Sequence, residues 1–226
     1  TGFAWVFIQP LITLLIYWFV FDKIFKQRII GSGDAQIEFI VYLAVGFWPW
    51  VAFSESVVRA ITSVSDKIDL IGKVKLDCKM LVIASVSATF LLHLIGYSFV
   101  LLILILVSDS IRITVLPLIL FPMCQLYFLA IALGLIFSAI QIFIKDTLQF
   151  ITTLMTLWFF LTPIIYSESI LPDKYKALIQ LNPLYIPISF IHNALITGYD
   201  LPWLKMLAML IITFGLVFIS VRMFNK

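Results

Sequence analysis

Apolar positions along this chain come in long unbroken blocks, without the two-residue or 3.6-residue alternation that marks half-buried elements, and the blocks set the architecture. The first 21 residues carry no charge. They predict a helix over 3–25, with Pro10 inside it, which a membrane helix tolerates when neighbours satisfy the freed carbonyl. Asp22, Lys23, Lys26 and Arg28, followed by Gly31, Ser32, Gly33 and Asp34, read as a loop. Further blocks run over 39–60, 81–107 and 116–141, the last two joined by a tight turn with Asp109 and Arg112. Lys145 and Asp146 mark another turn, and blocks over 147–166 and 202–223 complete the set. One bilayer crossing needs about 20 apolar residues, so the pattern predicts about six spans in one transmembrane domain over 1–226.

Two stretches depart from it. Over 63–79, Asp66, Lys67, Asp69, Lys73, Lys75, Asp77 and Lys79 are mixed with Ile68, Leu70, Ile71, Val74 and Leu76, a short amphipathic aqueous connection. Over 168–200, Pro172, Pro183 and Pro187 with Gln180, Asn182, His192 and Asn193 interrupt the apolar run, so a continuous span gives way to two short helices dipping into one membrane face. The fold class is therefore all-α, a polytopic integral membrane protein.

Composition sharpens this picture. The 226 residues are 63% hydrophobic and 12% charged, half the charge content of a soluble domain, and the mean hydropathy is +1.14. A net charge of +3, scattered between apolar blocks, forms no basic stripe, which argues against a nucleic-acid partner. Cys78 and Cys124 give neither a disulfide framework nor metal-ligand spacing. The chain starts at Thr1 inside an apolar block, as expected where a native N-terminal segment precedes it, and nothing resembles a cleavable signal peptide. An even number of spans puts both ends on one side, and basic residues divide almost evenly between the two sides, so charge alone does not orient the chain.

No phosphate-cradling GxxxxGK[ST] loop, HExxH zinc helix or GxSxG elbow occurs, so the sequence offers no catalytic residues, no metal site and no energy-harvesting site. His93 and His192 have no neighbouring carboxylates in sequence, and His93 reads as a hydrogen-bonded interior residue before a proton relay. Glu55 and Arg59, spaced i,i+4, are expected to neutralise each other near the end of the second span. Gln149, Thr152, Thr153 and Thr156, continued by Phe159 and Phe160, form a polar and then aromatic stripe on the fifth span. The threonines suit either bonding to their own i−4 carbonyls with close helix packing, or a translocation wall. Aromatic residues, 15% of the chain, cluster at Tyr17, Trp18, Phe19 and Phe21 and at Phe47, Trp48 and Trp50, as interfacial belts or as stacking faces for sugar rings.

The order of short motifs resembles the type-2 ABC exporter permeases, most closely the membrane subunits of bacterial O-antigen and other lipid-linked polysaccharide exporters. The motifs are Thr1-Gly2-Phe3-Ala4-Trp5 with Gln9-Pro10, and Gly46-Phe47-Trp48-Pro49-Trp50 with Phe53-Ser54. Further along come Leu70-Ile71-Gly72-Lys73-Val74, Ile144-Lys145-Asp146-Thr147-Leu148-Gln149, Leu161-Thr162-Pro163-Ile164-Ile165-Tyr166-Ser167 and Leu181-Asn182-Pro183-Leu184. One departure is His192-Asn193 where family members often carry an arginine.

The resemblance implies a non-enzymatic permease in the bacterial inner membrane that pairs with a second copy of itself and two copies of an ABC ATPase, ATP and Mg being used by that partner. It implies cytoplasmic termini, a coupling helix within 63–79 and periplasmic gate helices within 168–200. The residues carried into those roles are Asp69, Lys73, Lys75, Lys145 and Asp146 for coupling, and Asn182, Pro183 and Pro187 for the gate. Tyr17, Trp18, Phe21, Thr152, Thr156, Phe159 and Phe160 are the candidates for the polysaccharide path. A teichoic-acid or drug exporter of the same fold, an ATP-independent carrier and a membrane enzyme of lipid-linked glycan assembly are the competing expectations; an enzyme needs clustered Asp, Glu or His at one face, which the sequence lacks.

Overall fold

The computed structural model describes residues 5–26, 29–30, 36–68, 77–167, 172–198 and 200–224. Eight α-helices carry the described chain: α1 Trp5–Trp18, α2 Phe39–Thr62, α3 Cys78–Val107, α4 Leu120–Phe143, α5 Thr147–Phe160, α6 Asp173–Gln180, α7 Tyr185–His192 and α8 Trp203–Phe224. Three helices extend into non-α turns. α1 continues as π-helix over Phe19–Ile24, a 3-10 segment Ile113–Ile119 leads into α4, and α7 runs on as π-helix over Asn193–Thr197. The stretch read as a plain loop after α1 holds a two-residue antiparallel pair, β1 Ile29–Ile30 with β2 Gln36–Ile37.

Among the described residues, five helical stretches are long and apolar enough to cross a membrane: Trp5–Ile24, Phe39–Thr62, Cys78–Val107, Ile113–Phe143 and Trp203–Phe224. The fifth apolar block differs from its expected 147–166. α5 stops at Phe160, and its 14 residues rise about 21 Å, short of a hydrocarbon core of about 30 Å. Pro163 is the cause, because its ring disfavours helical backbone at Thr162. The chain then turns across the far end of the bundle, where the Tyr42 hydroxyl donates to the carbonyls of Pro163 and Tyr166 at 3.4 and 3.2 Å.

α2 is the central helix, with α1 and α5 on one side, α3 and α4 on the other, and α7 across its N-terminal half. α8 packs outside against α4. Pro49 interrupts α2 without breaking it. A proline has no N–H for the carbonyl four residues earlier, which here is Val45, and the Tyr97 hydroxyl of α3 donates to that oxygen at 3.0 Å. Trp48 adds a second stitch, its Nε1–H donating to the His93 carbonyl at 3.0 Å.

Small residues set the helix spacing. A Cβ on Gly134 of α4 would sit 2.8 Å from the Ala60 Cβ of α2, and one on Gly96 of α3 would meet Phe7 and Trp48 at 2.8 Å. Gly46 admits His192 in the same way: a Cβ there would lie 2.5 Å from the imidazole Nε2. That ring stacks on Tyr42 at 3.8 Å, and its Nε2–H donates to the Tyr42 carbonyl at 3.0 Å. The Gly46-Phe47-Trp48-Pro49-Trp50 motif is thus a packing device whose glycine, indole and proline each meet a defined neighbour.

Candidate functional site: a groove between three helices

Among the described residues, a cavity of about 660 Å³ forms an open groove between α1, α2 and α5. Its two ends differ in chemistry. Toward the N-terminal half of α2 the walls are aromatic, with Tyr17 stacked on Phe159 at 5.4 Å and Phe47 edge-on to Tyr17 at 5.9 Å. Trp50 lies 5.7 Å from Phe159, and Phe159 is the buried hub these rings share. Toward the C-terminal end of α2 the lining turns polar, with Ser54, Glu55, Arg59 and Thr152.

Four of the seven residues expected on the polysaccharide path line the groove: Tyr17, Thr152, Thr156 and Phe159. The other three do not. Phe160 is half exposed and lies one residue, about 100°, around α5 from Phe159. Trp18 is likewise one residue off Tyr17 and has the Lys23 ammonium 5.1 Å from its ring. Phe21 lies where α1 widens into π-helix; its ring stays edge-on to Tyr17 at 6.4 Å and also packs toward Phe25 and Phe39 at 5.7 and 6.1 Å, outside the groove lining.

The threonine stripe makes the i−4 bonds expected of it, and two of its members line the groove. Thr152, Thr153 and Thr156 donate their hydroxyl protons to the carbonyls of Leu148, Gln149 and Thr152 at 2.8, 3.0 and 3.2 Å. With the proton donated backward, each hydroxyl oxygen keeps acceptor capacity, and those of Thr152 and Thr156 do so in the groove.

The ionic arrangement at the polar end corrects the expectation of an isolated Glu55–Arg59 pair and of histidines without carboxylates. Arg59 donates through Nε and Nη2 to Oε1 of Glu55 at 2.7 and 2.6 Å. The other carboxylate oxygen, Oε2, lies 2.7 Å from Nε2 of His93, whose side chain is fully buried on α3. Thirty-eight residues separate Glu55 from His93, so no local pattern links them. The usable clue is that both fall within apolar spans, where ionisable side chains pair with one another.

The coupling candidates fall in two groups. Asp69, Lys73 and Lys75 lie outside the described residues. Lys145 and Asp146 are exposed in the turn between α4 and α5, which Gln141 clamps by donating to the Lys145 carbonyl at 3.1 Å and accepting from the Leu148 amide at 3.0 Å.

Of the gate candidates, Asn182 is a staple. Its Nδ2 donates to the Leu161 carbonyl and the Thr162 hydroxyl at 3.2 and 2.9 Å, and its Oδ1 accepts from the Trp158 indole and the Leu184 amide at 2.7 and 3.0 Å. It ties the end of α5 to the α6–α7 turn. Pro183 lines a small cavity beside it with Trp158 and Leu161, and Pro187 is buried in the first turn of α7, where a missing N–H costs nothing. His192, at the position where the family often has arginine, is the staple between α7 and α2. Among the described residues no group of His, Cys, Asp and Glu could hold a metal ion.

No family model matches the chain. It is similar to the O-antigen export system permease protein RfbA of Myxococcus xanthus, 29% identical over 208 residues that cover 89% of this chain and 75% of the relative. Two O-antigen export system permease proteins RfbA of Klebsiella pneumoniae are each 24% identical, over 184 and 186 residues, covering 81% of this chain and 68% of each relative. The likeness to the type-2 ABC exporter permeases of O-antigen that the motifs carry is therefore found across most of the chain. The molecule is a multi-pass helical membrane protein similar to these relatives.

Proposed function

We propose that this chain is the membrane subunit of an ATP-driven exporter that moves a lipid-linked, O-antigen-like polysaccharide across the bacterial inner membrane. Hydrolysis of ATP with Mg takes place in a separate ABC ATPase, two copies of which sit on a pair of permease chains. The observation that carries this reading is the groove, which presents aromatic faces and hydroxyl oxygens along α1, α2 and α5 in place of a deep pocket. A polysaccharide is wide, hydrated and repetitive, so a wall that lets it slide needs stacking faces and weak, exchangeable hydrogen bonds. Two grooves facing each other would enclose such a passage, which fits a two-fold pair. The exposed turn at Lys145 and Asp146, together with the 63–79 connection, is the surface that receives the ATPase.

The test is ATP-driven uptake of lipid-linked glycan into inside-out vesicles containing the chain and its ATPase. Uptake should require both proteins, and the chain alone should hydrolyse no ATP. Uptake that persists without the ATPase, or none at all with both present and ATP turning over, overturns the assignment.

A further inference from the structure

Ionisable side chains within an apolar span ask for a reason, and the Glu55–Arg59–His93 cluster at the polar end of the groove has one beyond helix packing. His93 is on α3, away from the groove, and its side chain is wholly buried. Its Nε2–H donates to Glu55, while Nδ1 is buried without a partner, an arrangement that suits a bare lone pair there and not a second proton. The ring thus holds one carboxylate oxygen from behind. Arg59 takes the other oxygen with Nε and one edge of Nη2, so the rest of its five-donor fork is turned to the groove, and its side chain is half exposed. Glu55, about a quarter exposed, keeps lone pairs on the same side.

We infer that Glu55 and Arg59 form a sugar-hydroxyl clamp that makes the polar end of the groove selective for uncharged glycan, with His93 as the residue that positions it. A carboxylate beside a guanidinium presents an acceptor next to a donor, the pattern that two neighbouring hydroxyls on a sugar ring complement. The charges cancel, so an acidic polymer finds no net attraction there. Trp50, largely buried one helical turn from Ser54, contributes an indole edge to the same groove beside the sugar whose hydroxyls the clamp reads. This inference rests on the polysaccharide reading of the groove and adds the class of polymer that the groove takes.

The experiment uses the full chain in lipid nanodiscs and follows tryptophan fluorescence as maltoheptaose, a neutral oligosaccharide, or oligogalacturonate of the same length, an acidic one, is added. Wild type should bind maltoheptaose in preference. Arg59→Gln should weaken maltoheptaose about tenfold or more, the scale of one hydrogen bond to a charged group. Glu55→Gln leaves the guanidinium uncompensated and should reverse the preference toward oligogalacturonate, a change that a merely structural salt bridge would not produce. Arg59→Lys, on a half-exposed side chain, keeps the charge and should weaken maltoheptaose less than Arg59→Gln, which guards against loss of fold as the explanation. His93→Gln, still able to donate, should retain the preference, and His93→Leu should lose it. If maltoheptaose binds wild type, Arg59→Gln and Glu55→Gln alike while Trp50→Ala weakens it, the clamp is wrong and the sugar groove survives. If wild type binds neither oligosaccharide, the clamp falls together with the polysaccharide reading.

Discussion

The two sides of α2 are built on opposite rules. Toward α3 and α4 it is packed through Ala60, Gly134, Gly96 and the Trp48 indole, with backbones close enough that one added methyl group collides. Toward α1 and α5 it borders an open groove whose polar atoms keep unused hydrogen-bonding capacity. Lipid tails are as apolar as leucine, so nothing hydrophobic drives helices together in a bilayer, and close packing with internal hydrogen bonds holds the first side. The second side is free of that demand and can present whatever a passing molecule needs. α2 is the least apolar of the five spans and the most buried, whereas α3 and α8, the most apolar, are mainly exposed. Across α2, α3, α4 and α8 hydropathy marks the lipid face and its lack marks the interior, the reverse of a soluble core, whereas α1, of low hydropathy too, is the least buried of the five.

The contrast can be broken most sharply at Gly46. Gly46→Ala should expel the His192 ring from its stack on Tyr42 and cost about 1–3 kcal/mol, as overpacking does. The check is thermal unfolding in nanodiscs; an unchanged midpoint would mean that α7 does not need its seat on α2. Asn182→Ala comes next, since it removes four hydrogen bonds and leaves the Trp158 indole without its acceptor, a cost of about 1–3 kcal/mol. Asn182→Asp, which keeps the acceptor and loses the Nδ2 donors, should recover part of it by the same measurement.

On the groove side, effects should move from stability to transport. Single cysteines replacing Tyr17 or Thr156, in a Cys78→Ser, Cys124→Ser background, should react with a water-soluble thiol reagent and be protected by bound glycan, whereas one replacing Phe160 should not be protected. Equal protection at all three would place Phe160 on the path as well. The smallest effect is expected at Thr153, which shares the i−4 bond of its neighbours but does not line the groove; Thr153→Val should change stability by under about 0.5 kcal/mol and leave export rate unaltered. Thr156→Val, by contrast, should slow export at similar stability.

Most apolar blocks, the turns and the membrane class were legible in the sequence because each follows from local chemistry, a block of apolar residues or a charged turn, whereas the expected 147–166 helix ran past Pro163, where α5 has already ended. The threonine stripe was legible for the same reason, since 3.6-residue periodicity puts Thr152 and Thr156 on one face of α5. Local periodicity put Phe21 beside Tyr17, where its ring is, but gave no sign that α1 changes to π-helix at Phe19. It was silent on three pairings: His93 with Glu55, Tyr97 with the carbonyl that Pro49 frees, and His192 with Gly46. Each joins residues 38 to 146 positions apart, where nothing in the one-dimensional order encodes the distance. The amino-acid order by itself determined which blocks are apolar enough to cross a membrane and which face of α5 is polar. Which polar face met another helix and which was left lining a groove was decided only by tertiary packing, because a polar atom in a bilayer must find its partner wherever the fold supplies one.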